Sequence, residues 1–188
     1  PRAGDIKIID QNGDGVINTD DRVIIGNPNP DFTYGFQTRF TWRGLSLSAQ
    51  FNGVHGKDMI NTNIRYQAIP NRTGGNLRTE AWGGAWTAEN RSNAYPRVNY
   101  TLPTPAVLDR YVEDASFLRC TDITLSYNLP KAVMKKIGFN SINIFGSVKN
   151  AFIITDYSGY DPEVNSFAFD GLRPGVDMSS VSYTHLRA

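Results

Sequence analysis

The sequence predicts an all-β protein built from long antiparallel hairpins. Apolar and polar residues alternate with a period of two over stretches of about ten to fourteen residues, and helical periodicity is nearly absent. Strands of soluble proteins usually have about five or six residues, whereas a tilted strand that crosses a membrane needs about nine to eleven. Strand length alone is therefore equally compatible with the wall of a transmembrane β-barrel and with a soluble sandwich that has long hairpins.

The first predicted hairpin occupies residues 31–55. A tight turn at Arg43-Gly44 joins two strands that each carry apolar residues at alternate positions. Polar residues, mostly Ser, Thr and Gln, fill the positions between them. The apolar residues that share one face are Phe32, Tyr34, Phe36, Phe40 and Trp42 in the first strand and Leu45, Leu47, Ala49 and Phe51 in the second.

The second predicted hairpin occupies residues 117–155. In its first strand Ile123, Leu125 and Tyr127 alternate with polar residues, and its second strand runs from about residue 141 to residue 155. The connection 130–138 begins with proline and ends with glycine, which is typical of a short helix. We expect this helix to act as a connector.

Three irregular segments, residues 1–30, 56–116 and 156–180, separate or flank the hairpins. The middle one has about sixty residues, which is far too long for an ordinary loop in a compact domain. In a membrane barrel, short turns face the periplasm and long loops face outward. Short and long connections alternate along this chain, so the three long segments are predicted extracellular loops and the two short connections are predicted to be periplasmic.

Composition narrows the possible classes of function. The chain has 188 residues, of which 40% are apolar, and a net charge of +1. No apolar run is long enough for a membrane-spanning helix, which excludes that class. The mean hydropathy of −0.37 does not exclude a membrane β-barrel, because its strands alternate apolar and polar residues and average to such a value. The balanced charge predicts no nucleic-acid partner. Because no signal peptide or initiator Met is present, we expect a fragment of a longer chain.

Residues 10–21 fit the twelve-residue calcium loop D-x-[DN]-x-[DN]-G. Side-chain and backbone oxygens at this spacing surround one point, as a hard cation requires, and the glycine at the sixth position allows a sharp turn. The flanking segments do not predict an EF-hand, so the loop is expected to bind calcium structurally, or else to be a turn rich in Asn, Asp and Gly that binds nothing. The predicted ligands are Asp10, Asn12, Asp14, Val16, Asn18 and Asp21.

No catalytic motif is present. His55 and His185 are far apart in sequence, and neither lies in a metal-ligand motif; the acidic residues of the long segments are expected to be solvated loop charges. The chain is therefore predicted not to be an enzyme. Four aromatic residues of the middle loop could contact a sugar or a protein partner, or could form the small core of the loop: Trp82, Trp86, Tyr95 and Tyr100.

Several blocks of the sequence together resemble one family, the SusC/RagA-type TonB-linked outer-membrane receptors. The blocks occur in the order of the family and span about residues 4–178. They are Gly4-Asp5-Ile6-Lys7 before the calcium-type loop, Ile25-Gly26-Asn27-Pro28-Asn29-Pro30 followed by Phe32-Thr33-Tyr34-Gly35-Phe36, Trp86-Thr87-Ala88-Glu89-Asn90 with Tyr95-Pro96-Arg97, Val112-Glu113-Asp114-Ala115-Ser116-Phe117-Leu118-Arg119, Ile123-Thr124-Leu125-Ser126-Tyr127-Asn128-Leu129-Pro130 and Tyr157-Ser158-Gly159-Tyr160-Asp161-Pro162-Glu163-Val164.

The resemblance implies the C-terminal portion of a 22-stranded barrel that encloses an N-terminal plug. Receptors of this type sit in the cell outer membrane, contact its lipid and import oligosaccharides or peptides. They pair with a SusD-like surface lipoprotein and receive energy from the TonB complex, here through the missing N-terminal part. The calcium-type loop would then face outward, where it could shape the interface with the lipoprotein.

Residues 181–188 have no counterpart in the family, which normally continues into a final strand. We expect this tail to be non-native and give it no function. The alternative interpretation of the whole chain is a secreted, calcium-stabilised β-sandwich module that binds glycan. A layer covering the apolar face of the hairpins would favour that alternative.

Overall fold

The structure is a computed structural model. It describes residues 2–68, 77–98, 100, 108–167 and 170–178, and the predicted non-native tail 181–188 lies outside them. Two 3-10 turns occur in this part of the chain, at Thr19–Asp21 and Asp109–Tyr111. The strands and helices are β1 Phe32–Trp42, β2 Leu45–His55, β3 Asp58–Asn61, α1 Thr62–Ala68, α2 Thr79–Gly84, β4 Ala85–Trp86, β5 Tyr95–Arg97, β6 Val112–Asp114, β7 Phe117–Asn128, α3 Lys131–Ile137, β8 Asn143–Thr155 and β9 Val176–Asp177.

The chain divides into two compact units. The sheet unit consists of Asn29–Asp58 and Asp114–Ser158. The loop unit consists of Pro1–Pro28, Met59–Glu113 and Gly159–Ala188.

The sheet unit is a four-stranded antiparallel sheet in the order β1-β2-β7-β8. A two-residue turn joins β1 to β2, and both of its residues have positive φ, 47° at Arg43 and 90° at Gly44. Such a turn matches the twist of the strands that it connects. Helix α3 joins β7 to β8 and ends at Gly138, whose left-handed conformation caps it. These observed bounds fall within the predicted hairpins 31–55 and 117–155.

At one position along the sheet, β7 and β8 contain more residues than the neighbouring step of β2. Gln50 and Phe51 are adjacent in β2, but their partners in β7, Asp122 and Cys120, are two positions apart. The corresponding partners in β8, Lys149 and Phe152, are three positions apart. Bulges of this kind bend the strands that carry them. The bulge in β7 also shifts the alternation by one residue, so that Cys120 and Ile123 point to the same face.

The loop unit has a small core of its own. Tyr100 and Tyr111 are buried, and partly buried apolar residues pack against them: Ile6, Ile60, Ile64 and Leu108. Strands β6, β3 and β9 form a three-stranded sheet, and β4 pairs with β5 in parallel. The hydroxyl of Thr62 donates to the carbonyl oxygen of Asp177 at 2.7 Å, which ties α1 to β9.

Among the residues that the structure describes, no helix is both long enough and apolar enough to span a lipid bilayer.

Candidate functional site

The apolar side chains of all four strands form one continuous face of the sheet. The register places Phe40, Leu47, Leu125 and Gly146 side by side, and Trp42, Leu45, Tyr127 and Ile144 in the last row. Large side chains on this face remain exposed, including Phe40 at 64%, Val148 at 57% and Ile144 at 61%. Within the described residues no second layer covers this face, which counts against the sandwich alternative.

The opposite face of the sheet is mainly polar, with Phe145 and Ile153 of β8 as exposed apolar exceptions. Thr, Ser, Gln and Asn side chains occupy most of its positions in β1, β2 and β7. Asp122 forms an ion pair with Lys149 on the neighbouring strand and accepts a hydrogen bond from the hydroxyl of Thr124 at 2.8 Å. One exposed apolar face and one polar face, on strands of 11 to 13 residues, are the pattern of a barrel wall between lipid and an aqueous interior.

On the apolar face, aromatic side chains from different strands contact one another. Phe36 in β1 stacks on Phe51 in β2, with ring centroids 4.6 Å apart. Phe51 in turn lies 6.3 Å from Phe152, on the far side of β7. Near the other end of β1, the hydroxyl of Tyr34 donates to the carbonyl oxygen of Phe117 at 3.5 Å, which places its ring across Gly53. Sequence alternation identified the face but not these cross-strand contacts.

The calcium-type loop is folded by its own side-chain oxygens. Such hydrogen bonds leave further lone pairs on each oxygen for a cation. The backbone N–H groups of Gly13 and Gly15 donate to the carboxylate of Asp10 (both 2.7 Å), that of Asp14 donates to Oδ1 of Asn12 (2.9 Å), and that of Val16 donates to Oδ1 of Asp14 (2.7 Å).

Asp21 closes the loop. Its two carboxylate oxygens accept from the backbone N–H groups of Asn18 and Gln11, both at 2.8 Å. These two hydrogen bonds, first that of Asn18 and then that of Gln11, hold the pKa of the Asp21 carboxyl below its ordinary value. The side chain of Asn18 accepts from Asp20 and completes a capping box on the 3-10 turn.

The oxygen donors of the loop are of the chemical types that calcium binds. Across the described ranges of the chain, no three His, Cys, Asp or Glu side chains converge as a metal site of such residues would require. Calcium, however, also takes amide and backbone carbonyl oxygens, which Asn12, Asn18 and Val16 could supply beside the carboxylates. The residues present are therefore compatible with a calcium ion.

The chain before the calcium-type loop is fixed to the strand pair β4–β5. The Gly4 carbonyl accepts from the backbone N–H of Arg97 at 2.9 Å, and the Arg97 side chain forms an ion pair with Asp5 at 2.7 Å. The backbone N–H of Arg2, with a smaller contribution from Arg97, holds the pKa of Asp5 below its ordinary value. The sequence gives no local signal of this contact, because Asp5 and Arg97 are 92 positions apart.

The four aromatic residues predicted to contact a ligand or partner lie in different surroundings. Trp82 is 71% exposed, Trp86 and Tyr95 are partly buried, and Tyr100 lies in the core of the loop unit. Burial against surrounding apolar residues raises the pKa of Tyr100 above its ordinary value. Trp82 is thus the most exposed of the four, and Tyr100 is the one that belongs to the core of the loop unit.

Comparisons with known proteins agree with this architecture. No family model matches the chain. TonB-dependent receptor P26 of Formosa agariphila is 33% identical over 90% of this chain and 17% of that protein. TonB-dependent receptor SusC of Bacteroides thetaiotaomicron is 26% identical over 84% of this chain and 15% of that protein. The chain thus spans about a sixth of the length of these relatives.

Solved structures give the same result. The RagAB peptide transporter superposes with a TM-score of 0.67 and 28% identity, over 82% of this chain and 16% of that one. The RagAB peptide importer in its closed-closed state gives a TM-score of 0.65 at 26% identity, over 87% of this chain and 18% of that one. The sheet is thus an unclosed part of an all-β barrel wall, as predicted.

The curated relatives are named as TonB-dependent receptors and the solved structures as a peptide importer or transporter, so the prediction that the chain is not an enzyme is confirmed. The agreement in sequence and in fold also confirms the resemblance seen in the sequence blocks. The chain belongs to the TonB-dependent receptors of the SusC/RagA type.

Proposed function

We propose that the chain forms part of the barrel wall and outer loops of an outer-membrane receptor that imports oligosaccharides or peptides. The observation that carries this proposal is the open sheet with one apolar and one polar face. The TonB complex would supply energy through another part of the receptor, and a SusD-like lipoprotein would cover the loops. The names of the relatives support it, since SusC is a TonB-dependent receptor and RagAB is a peptide importer.

Physical chemistry explains why such a sheet belongs in a bilayer. The exposed apolar side chains would gain about 25 cal/mol for each Å² that lipid covers, whereas in water they would favour aggregation. The backbone groups at the outer edges of β1 and β8 need neighbouring strands, because an unpaired edge is not tolerated in hydrocarbon. In our proposal the adjoining strands of the full-length receptor supply them.

We infer the orientation of the proposed wall from the lengths of its connections. The turn at Arg43-Gly44 and helix α3 are short and would face the periplasm. The loop unit, with the calcium-type loop and Trp82, would face outward. In that position it could contact the lipoprotein and the incoming substrate.

Deletion and fractionation of the full-length receptor in its own host test this function. The receptor is expected in the outer membrane after detergent extraction, and its deletion should abolish growth on one oligosaccharide or peptide source. Recovery in the soluble secreted fraction would instead support the glycan-binding sandwich. Growth unchanged on both classes of nutrient would contradict an import function.

We also propose that the calcium-type loop binds one structural Ca²⁺. In the full-length receptor, Asp10→Asn is expected to lower calcium affinity about tenfold or more, because the exchange removes a charged ligand from the first position of the loop. Isothermal titration with calcium measures the effect. Asp20→Asn is the matched control, since Asp20 lies in the same twelve-residue loop but outside the predicted ligand set. Equal affinities of the two variants would argue against this site.

The order of the same loop should depend on pH even without metal. The folded pKa of Asp21 lies below its unfolded value, which is about 3.9. Its contribution to stability is therefore fully present above the unfolded pKa, and is lost as the pH falls through the folded pKa. Hydrogen exchange of the 10–21 peptide in the full-length receptor, corrected for intrinsic rates, should show this loss of protection at acidic pH. In Asp21→Asn the transition should disappear; an unaltered transition would assign it to another group.

A further inference from the structure

One end of the sheet, where the short connections lie, combines basic and aromatic residues. We define the short-connection end as residues 42–45 together with the connector 129–139. Arg43, Lys131, Lys135 and Lys136 are all exposed there. The whole sequence between Asp31 and Asp58, and again between Asp122 and Asp156, contains no acidic residue. The positive charge of this end therefore has no acidic residue beside it in either connection.

Backbone hydrogen bonds hold the two connections together. The N–H of Asn128, at the end of β7, donates to the carbonyl oxygen of Gly44 at 2.8 Å. The next residue, Leu129, donates to the carbonyl oxygen of Ile142 at 3.1 Å and so closes the connector over α3. Arg43 and the three lysines consequently lie at the same end of the sheet.

The short-connection end begins at the last row of paired side chains on the apolar face. Trp42 pairs with Leu45, Leu45 with Tyr127, and Tyr127 with Ile144. Trp and Tyr at strand ends are typical of the boundary between hydrocarbon and headgroups. The guanidinium of Arg43 lies 5.2 Å from the centre of the Trp42 ring, directly beyond this row.

Helix α3 presents both charge and apolar surface. Met134 is 2% exposed and faces the protein, whereas Val133 is 41% exposed and Phe139, just after the helix, is 60% exposed. Lys131 and Lys135 are four positions apart and therefore lie on one side of the helix. A surface that mixes lysines with exposed apolar side chains suits the region where acyl chains meet headgroups.

We propose that the short-connection end binds the phosphate groups of anionic phospholipids in the leaflet that it faces. The inference rests on the proposed function, because it requires the sheet to span the bilayer. Charge complementarity favours this occupant: the end carries four cations, and an anionic headgroup offers a phosphate diester at the depth where they lie. Each Lys or Arg near such a surface contributes about fivefold to binding, or about 1 kcal/mol.

The test uses the full-length receptor reconstituted into vesicles of phosphatidylcholine with one third phosphatidylglycerol. After gentle extraction, the ratio of retained phosphatidylglycerol to phosphatidylcholine is measured for the wild type and for Lys131→Gln/Lys135→Gln/Lys136→Gln. We expect the wild type to enrich phosphatidylglycerol and the triple variant to lose about tenfold or more of this enrichment. The corresponding triple Lys→Arg variant should retain it. Lys7→Gln/Arg91→Gln, which removes exposed charges of the loop unit, should also retain it.

Electrophoretic mobility before and after heating reports whether each variant is folded in the vesicles. A wild type that inserts but shows no preference for phosphatidylglycerol would overturn this inference and leave the proposed function intact. An unchanged preference in the Gln variant, or an equal loss in Lys7→Gln/Arg91→Gln, would also overturn it. A wild type that does not insert would overturn the proposed function, and this inference with it.

Discussion

Replacing Val148 with arginine in the full-length receptor is expected to prevent most of the protein from reaching a folded state in the outer membrane. Val148 lies near the middle of β8, opposite Ile123, and is 57% exposed on the apolar face. A charged side chain at the centre of the lipid-facing surface of a barrel costs about 2–4 kcal/mol. That cost shifts the ratio of folded to unfolded receptor by a factor of about 30 or more. The amount of heat-modifiable receptor in the outer-membrane fraction measures it.

Ser147→Arg provides the matched control. Ser147 is the neighbouring residue in the same strand, is also exposed, and lies opposite Thr124 on the polar face. The two variants therefore share strand, depth and introduced charge, and differ only in the face that carries the arginine. We expect the Ser147 variant to accumulate nearly as well as the wild type. Similar losses in both variants would contradict the assignment of the two faces.

The strands and their faces could be predicted from the sequence because alternation is a local signal. Residues 32–42 are predicted to place their aromatic side chains on one face, and β1 does so throughout. The bulge at Thr121 could not be predicted, because it depends on how β7 pairs with both neighbours. The hydroxyl of Thr121 donates to the carbonyl oxygen of Gln50 at 3.1 Å, a contact between residues 71 positions apart.

The same distinction holds for the candidate site. The calcium-type loop is contiguous, so the sequence alone predicts which of its side chains lie together, and the folded loop uses the side chains of Asp10, Asn12 and Asp14 to order its own backbone. The attachment of Asp5 to Arg97 joins segments far apart in the chain, and no spacing rule indicates it. The burial of Tyr100 has the same origin, since it depends on the packing of Tyr111 from another segment.

The contact of Tyr34 with Gly53 leads to the second large expected effect. Gly53→Ala in the full-length receptor should destabilise the sheet by about 1–3 kcal/mol, as overpacking of a tight site does. The added Cβ would lie 2.5 Å from the hydroxyl oxygen of Tyr34 and 2.7 Å from the carbonyl oxygen of Phe117. The tyrosine ring can rotate away, but the carbonyl belongs to the backbone of β7 and cannot move without breaking the strand pairing. Urea unfolding of the receptor in lipid vesicles measures the change.

Gly146→Ala separates this clash from the general effect of removing a strand glycine. Gly146 lies on the same face, opposite Leu125, and a Cβ added there meets no atom within 4 Å. This variant should be neutral or more stable by about 0.4–1 kcal/mol, because alanine restricts the unfolded chain. The double variant Gly53→Ala/Tyr34→Leu should recover only part of the lost stability, since the Phe117 carbonyl still opposes the Cβ. Full recovery would show that the Tyr34 ring alone requires glycine at position 53, and a loss in Gly146→Ala as large as in Gly53→Ala would refute the clash.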